Sequence, residues 1–184
     1  LTAWTASKGA RAADRQQMAN LNSQIRPVAQ GDGAALADIY NHYIANTLIT
    51  FEEQPLDASD MTGRIDEVAA AALPWLVAER QGQIVGYAHA SRWKGRCAYR
   101  FTVESTVYLD PVAVGQGVGS QLYRALLDRL RDRAIHVAIA GIALPNPASV
   151  ALHERFGFRK VGHFQEVGFK FDRWIDVGYW QVLL

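Results

Sequence analysis

Glu104 lies in the run Thr102-Val103-Glu104-Ser105-Thr106-Val107-Tyr108-Leu109. Side chains of an extended strand alternate faces, so Thr102, Glu104, Thr106 and Tyr108 share one side and Val103, Ser105, Val107 and Leu109 the other. A row of polar groups on an interior strand needs hydrogen-bond partners or a wet cavity. A carboxylate losing water there has a raised pKa, which suits a general base. The same pattern fits a buried glutamate paired with a structural arginine, and the residues leave the two readings open.

Just downstream, after Asp110-Pro111, comes Gly115-Gln116-Gly117-Val118-Gly119-Ser120, and Gln121 to Leu127 opens a helix. Glycine lets the backbone approach a phosphate closely, and the first helical N–H groups have no intrahelical acceptor. Strand, glycine-rich turn and helix N-terminus thus make an anion site. A nucleotide P-loop is excluded, since no Gly-Lys-Ser/Thr follows. A dinucleotide fingerprint fits poorly, since the turn comes after several antiparallel-type strands rather than opening a βαβ unit. An ordinary tight turn stays open.

His153 lies on a helix after Asn146, which sits between Pro145 and Pro147. Histidine titrates near neutrality and could move a proton; a lone helical histidine is also often structural. Asn146 reads as an N-cap. Lys94, Arg96 and Arg100, with Tyr99, flank the start of the long strand; they suit an anionic substrate group or a solvated basic loop. Phe51, in the extended connection after the first helix, reads as a pocket wall or as core, and Lys170 as a further anion contact. His42, His89, His136, His153 and His163 have no metal-ligand spacing, so no metal is expected. Cys97 has no adjacent histidine to activate it as an acyl carrier. Trp174 and Trp180 read as core or interface rather than as nucleic-acid platforms.

These residues sit in a chain of 184 residues with net charge +1, 49% hydrophobic and 20% charged. That is one soluble globular domain, with nothing to suggest a nucleic-acid or membrane surface. The single cysteine cannot form an intrachain disulfide, which fits a reducing cytoplasm. Residues 1–23 are rich in Ala, Arg, Gln, Asn and Ser and read as a tag-like or disordered extension; the domain spans 24–184.

Within it, Ile25 to Val28 reads as a strand, Asp32 as the cap of a helix over 34–46, and Asp57 or Ser59 as the cap of a second helix ending near Ala72. Trp75–Glu79 and Gln83–Ala90 form a hairpin about Gln81-Gly82. A long strand runs from Tyr99 to Leu109, and a helix from Gly117 to about Arg133. Val137–Ile142 is a strand, and a helix from Asn146 or Ser149 ends at Gly157. Lys160–Phe171 and Val177–Leu183 close the chain. The order β-α-α-β-β-β-α-β-α-β-β is an α/β fold with a mixed sheet.

Val114-Gly115-Gln116-Gly117-Val118-Gly119 resembles the Arg/Gln-x-x-Gly-x-Gly/Ala motif of the GNAT superfamily of N-acetyltransferases, departing at its first position, where Val114 stands. Pro74 to Glu79, Tyr99 with Thr102 to Tyr108, Leu144-Pro145-Asn146, Leu152-His153-Glu154 and Trp174 to Gly178 resemble the phosphinothricin and methionine sulfoximine N-acetyltransferases of that superfamily. The likeness runs from about Ile25 to Leu183. It implies a GNAT fold, with a mixed, mostly antiparallel sheet flanked by helices. It also implies acetyl-CoA as co-substrate and direct attack by the amine of a small amino acid analogue in a ternary complex. Glu104 would be the base, directly or through water, with His153 or Tyr108 managing the thiolate. The backbone of Val107, Tyr108 and Leu109, the turn Gly115 to Ser120, and Asn146 would hold the CoA. Phe51, Lys94, Arg96, Tyr99, Arg100, Thr106 and Lys170 would meet the acceptor. Related enzymes are dimers. Another amine (a polyamine or a protein N-terminus) and a non-catalytic acyl-CoA sensor are the rival readings. Toxin resistance and metabolite detoxification would use the same pocket.

Overall fold

The computed structural model describes residues 23–184. The tag-like segment expected at the N-terminus lies outside the described residues, except Ser23. That residue is buried, and its hydroxyl accepts from Arg80 at 3.3 Å.

Seven strands form one sheet in the order β1-β2-β3-β4-β5-β7-β6. They are β1 (Gln24–Pro27), β2 (Trp75–Arg80), β3 (Gln83–Arg92), β4 (Thr102–Leu109), β5 (Val137–Leu144), β6 (Arg159–Lys170) and β7 (Arg173–Leu183). Four helices flank it: α1 (Gly33–Asn46), α2 (Ala58–Ala70), α3 (Val118–Arg131) and α4 (Pro147–Arg155). All neighbouring strands run antiparallel except β4 and β5. The expected element order and sheet class are both observed.

Each helix buries one stripe against one face of the sheet. On one face, Leu36, Ile39, Tyr40 and Ile44 of α1 and Met61, Ile65 and Val68 of α2 pack on Trp75, Val77 and Tyr87. On the other, Leu122, Tyr123, Leu126, Leu127 and Leu130 of α3 pack on Leu76, Ala88, Val103 and Ala138. Asp57 starts α2 through a reciprocal capping box: its carboxylate accepts from Asp60 N at 2.8 Å, and Asp60 accepts from Asp57 N at 3.0 Å. Asp32 departs from its expected capping role. Its carboxylate binds the Arg26 guanidinium at 2.7 and 3.0 Å and the Ala29 N–H at 2.7 Å, because a short 3₁₀ turn precedes α1. Tyr99 is not in β4 but in a 3₁₀ turn before it, and β7 starts at Arg173, so Trp174 to Asp176 are strand rather than connection.

The feature that creates the site is where β4 and β5 part. Their parallel ladder comprises Thr102↔Val137, Val103↔Ala138 and Glu104↔Ile139, and then stops. Both strands continue, β4 paired to β3 through Leu109 and β5 paired to β7 through Leu144. A wedge therefore opens in the middle of the sheet, with Glu104 at its apex.

Candidate active site

The wedge holds a cavity of about 360 Å³ that draws on both faces of the sheet. From the α1/α2 face come Thr50, Phe51, Glu104, Thr106 and Tyr108; from the α3/α4 face come Ser105, Asn146, Ser149 and His153.

The Glu104 carboxylate makes no hydrogen bond or ion pair with any other described residue, so no structural arginine holds it. Its carboxylate sits beside Gly141 and Tyr179: a Cβ added at Gly141 would lie 3.2 Å from Glu104 Oε1 and 3.3 Å from Tyr179 Cε1. Glycine at this point in β5 leaves the carboxylate its space. Desolvation raises the Glu104 pKa above its usual value, with the Lys94 charge acting weakly against it. Such a group takes up a proton more readily than an ordinary carboxylate does, which suits a general base.

The backbone of β4 supplies the other half of the site. Asp110 N–H donates to Val85 C=O at 3.0 Å and Trp93 N–H to Thr102 C=O at 3.4 Å, so the even-numbered residues of β4 bond to β3. In an antiparallel pair the intervening residues then direct N–H and C=O the other way. Phe101 C=O does so, accepting from His136 N–H at 2.9 Å. Val107 and Leu109 thus turn their backbone groups into the wedge, where no strand meets them; Leu109 C=O accepts from the Tyr43 hydroxyl at 2.6 Å. Tyr108 differs from its neighbours. Its backbone pairs with Tyr87 of β3, and its ring packs among Tyr40, Tyr43 and Tyr87. Burial pushes its phenol pKa strongly upward, so it stays protonated.

At the wide end of the wedge, Gly115 and Gly117 adopt φ of +78° and +81°, a region closed to most side chains. Gly117 caps α3 without a side-chain bond, leaving the first N–H groups, at Val118, Gly119 and Ser120, directed out of the helix. Gly119 packs against Leu109 and Leu152, seating this helix end on β4 and α4. Gln116 braces the turn: Arg80 donates to its Oε1 at 2.6 Å, and its Nε2 donates to Val112 C=O. Val114 is half exposed. Asn146 caps α4, accepting from Ser149 N at 3.1 Å, as expected.

His153 is only 3% exposed. Its Nδ1 is 2.7 Å from Ser149 C=O, which can only accept, so Nδ1 carries the proton. Nε2 then accepts from the Tyr123 hydroxyl, and Tyr123 meets Ser105 Oγ at 2.8 Å. Ser105 Oγ also reaches Ile139 C=O at 3.2 Å. The result is a buried polar chain, Ser105–Tyr123–His153–Ser149, along the α3/α4 side of the wedge. Desolvation lowers the His153 pKa and keeps the ring neutral. Tyr123 is a member of this chain that sequence reasoning missed, because a tyrosine at a core position of an amphipathic helix reads as packing.

The expected acceptor contacts separate. Phe51 and Thr106 line the Glu104 cavity. Arg96, Tyr99 and Arg100 line a second cavity at the start of β4, together with Lys94, Arg92 and Arg133. Arg100 lies over the Phe101 ring at 4.5 Å and donates to Cys97 C=O. Lys94 is the link between the two cavities: its ammonium lies over Trp93 at 4.8 Å, and the Trp93 ring meets Tyr179 edge-on at 5.6 Å. Lys170 is buried, with its ammonium on Thr50 C=O at 2.9 Å, outside the cavity lining. Among the described residues no group of His, Cys, Asp and Glu could hold a metal ion, and no helix is long and apolar enough to cross a membrane.

Comparison with known proteins gives the family. Residues 25–178 match the acetyltransferase (GNAT) domain model. A phosphinothricin N-acetyltransferase of Streptomyces coelicolor is 41% identical over 173 residues, covering 86% of this chain and 94% of that protein. An L-methionine sulfoximine/L-methionine sulfone acetyltransferase of Salmonella typhimurium is 34% identical over 160 residues, covering 87% and 94%. A GNAT superfamily phosphinothricin acetyltransferase of Sinorhizobium meliloti, solved in complex with acetyl-CoA, superposes with a TM-score of 0.85 at 34% identity, over 88% of each chain. With the domain model spanning most of its length and a splayed β4–β5 pair at its centre, the chain belongs to the GNAT family of acetyltransferases.

Proposed function

We propose that this acetyltransferase uses acetyl-CoA to acetylate the α-amino group of a small amino acid analogue of the phosphinothricin, methionine sulfoximine or methionine sulfone class. The observation that carries this is Glu104: a desolvated carboxylate with no cation in ion-pair contact, at the apex of a wedge that opens to both faces of the sheet. A cavity of about 360 Å³ suits an amino acid better than a protein N-terminus with its chain.

Acetyl-CoA, when bound, supplies an acyl group already activated as a thioester. The residues fit it: the N–H groups at Val118 to Ser120 suit a pyrophosphate, and Val107 and Leu109 offer an unpaired strand edge to the pantetheine arm. The Val107 N–H suits a developing oxyanion. Glu104 accepts the proton of the acceptor ammonium, directly or through one water, and so exposes the amine lone pair. His153 carries no proton on Nε2, which accepts from Tyr123, and its Nδ1 proton is held by the Ser149 carbonyl, so in this arrangement the ring orders the α3/α4 side and has no free proton to give a departing thiolate. Phe51 and Thr106 meet the acceptor, and Lys94 biases the Glu104 site electrostatically.

The half-exposed apolar side chains Phe164, Val167, Phe169, Phe171 and Trp174 on the β6–β7 hairpin support a homodimer. Light scattering on the purified chain checks this: a monomer at micromolar concentration removes it. A cytoplasmic location accords with the single, exposed Cys97.

Release of free CoA thiol tests the reaction. Phosphinothricin, methionine sulfoximine, methionine sulfone, spermidine and a peptide are compared side by side. Turnover confined to the three amino acids is expected. Turnover of spermidine or the peptide alone replaces the acceptor class, and acetyl-CoA binding without release for any amine replaces the enzyme by a sensor.

A further inference from the structure

The connection from α1 to α2 builds one wall of the Glu104 cavity with Ile49, Thr50 and Phe51. It has no regular structure of its own, so its position must come from contacts with its surroundings. Several of these lead to the helices. Thr50 Oγ1 meets the Tyr40 hydroxyl at 2.7 Å, and Glu52 pairs with Arg64 at 2.8 Å.

Two others lead to β6, on the far side of the cavity. Lys170 is 1% exposed, and its ammonium donates to Thr50 C=O at 2.9 Å. It also lies 5.0 Å over the Phe171 ring. No described carboxylate is within ion-pair distance of it. A charge held this way gives up most of its hydration, and the carbonyl it has gained is the backbone of the wall itself. Two residues earlier, hence on the same face of β6, is Gly168. A Cβ there would fall 2.4 Å from the Phe51 ring, so glycine is what lets that ring lie flat on the strand. Consecutive wall residues, 50 and 51, are thus seated on alternate residues of one strand, 170 and 168.

We infer that Lys170 is a positioning residue for the acceptor: by holding the Thr50 carbonyl it sets Phe51 on Gly168 and fixes the width of the cavity beside Glu104. This rests on the acceptor site proposed above. Lys170 touches neither substrate; it acts through the wall. The donor half of the wedge, built from β4, α3 and α4, lies apart from it.

Lys170→Met keeps most of the side-chain length and removes the ammonium. Gly168→Ala leaves the ammonium and displaces Phe51. In the full chain, with methionine sulfone as acceptor, both are expected to raise the acceptor KM about tenfold, the cost of losing one charge-assisted hydrogen bond, while the acetyl-CoA KM stays within about twofold. The double variant adds little to either single one, since both release the same wall. Amide hydrogen exchange at 48–53 speeds up in both, and exchange in α3 does not change. A Lys170→Met protein with wild-type acceptor KM and wild-type exchange at 48–53 overturns the inference, as does an equal rise of both KM values. If Lys170→Met does not fold, Lys170→Gln, a smaller change that still removes the ammonium, is read in the same way, with Gly168→Ala showing what a displaced Phe51 alone does. If the wild type turns over no amino acid, the acceptor reading fails, and the exchange contrast still decides whether Lys170 holds the wall.

Discussion

The two sides of the wedge are built on different principles. The α3/α4 side presents backbone: the N–H groups after Gly117 and the unpaired edge of Val107 and Leu109. The α1/α2 side is lined by residues that differ in their side chains: Glu104, Thr106, Phe51, Thr50 and Tyr108. Backbone donors are common to all residues, so the first side asks little of any single side chain. The second has no such redundancy. A single atom moved there changes what can bind or react, which is why the same fold can serve many acceptors.

The largest expected effect is on the side-chain half. Glu104→Gln lowers kcat/KM by about 10²–10⁴-fold while acetyl-CoA affinity, measured by calorimetry, is unchanged. In the wild type, activity falls as pH drops through a Glu104 pKa that desolvation holds above the ordinary carboxylate range. A pH–rate profile of the variant lacks that acid limb. Stability moves the other way. A carboxyl whose folded pKa is raised opposes folding once ionised, so its contribution is favourable at low pH and lost as pH rises through the folded pKa. Glu104→Gln therefore melts no lower than wild type at pH 8, as calorimetric scans would show.

On the backbone half, Gly117→Val forces a side chain into φ of +81°. Strain of about 1–3 kcal/mol there raises the acetyl-CoA KM about tenfold and leaves the acceptor KM alone. An equal rise in both would erase the distinction between the sides. A smaller effect sharpens it: Val114→Arg adds an exposed charge near the expected pyrophosphate and lowers the acetyl-CoA KM about twofold to fivefold, an effect lost in high salt. The smallest belongs to Lys94→Met. The lysine charge lowers the Glu104 pKa, so its removal moves the acid limb of the pH–rate profile to higher pH. A limb that stays in place means that Glu104 does not feel Lys94.

Local signals carried most of the fold. Gln81-Gly82 is a tight hairpin turn with both residues at positive φ, Asp57 caps a helix and Asn146 caps another, because caps and turns depend on neighbours within four residues. Asp32 misled because its carboxylate is taken by the Arg26 guanidinium, six positions upstream, and by the Ala29 N–H, in place of the start of α1. Tyr123 and Gly141 were illegible as site residues, since a core tyrosine and a strand glycine look alike whether or not a catalytic group faces them. The basic residues Arg96 and Arg100 stand near Glu104 in sequence yet open onto another cavity, because the 3₁₀ turn at Cys97–Tyr99 redirects the chain before β4 begins.

The amino-acid sequence by itself determined the element order, the alternation that puts Glu104 among polar neighbours, and the glycine turn leading into α3. Each depends on periodicity or on local backbone freedom, which adjacent residues dictate. Only the tertiary structure decided that β4 and β5 part just beyond Glu104, that burial lowers the His153 pKa while its Nε2 meets Tyr123, and that the Lys170 ammonium faces the Thr50 carbonyl. Those outcomes depend on groups 30 to 120 positions apart meeting in space, and no local pattern encodes such a meeting.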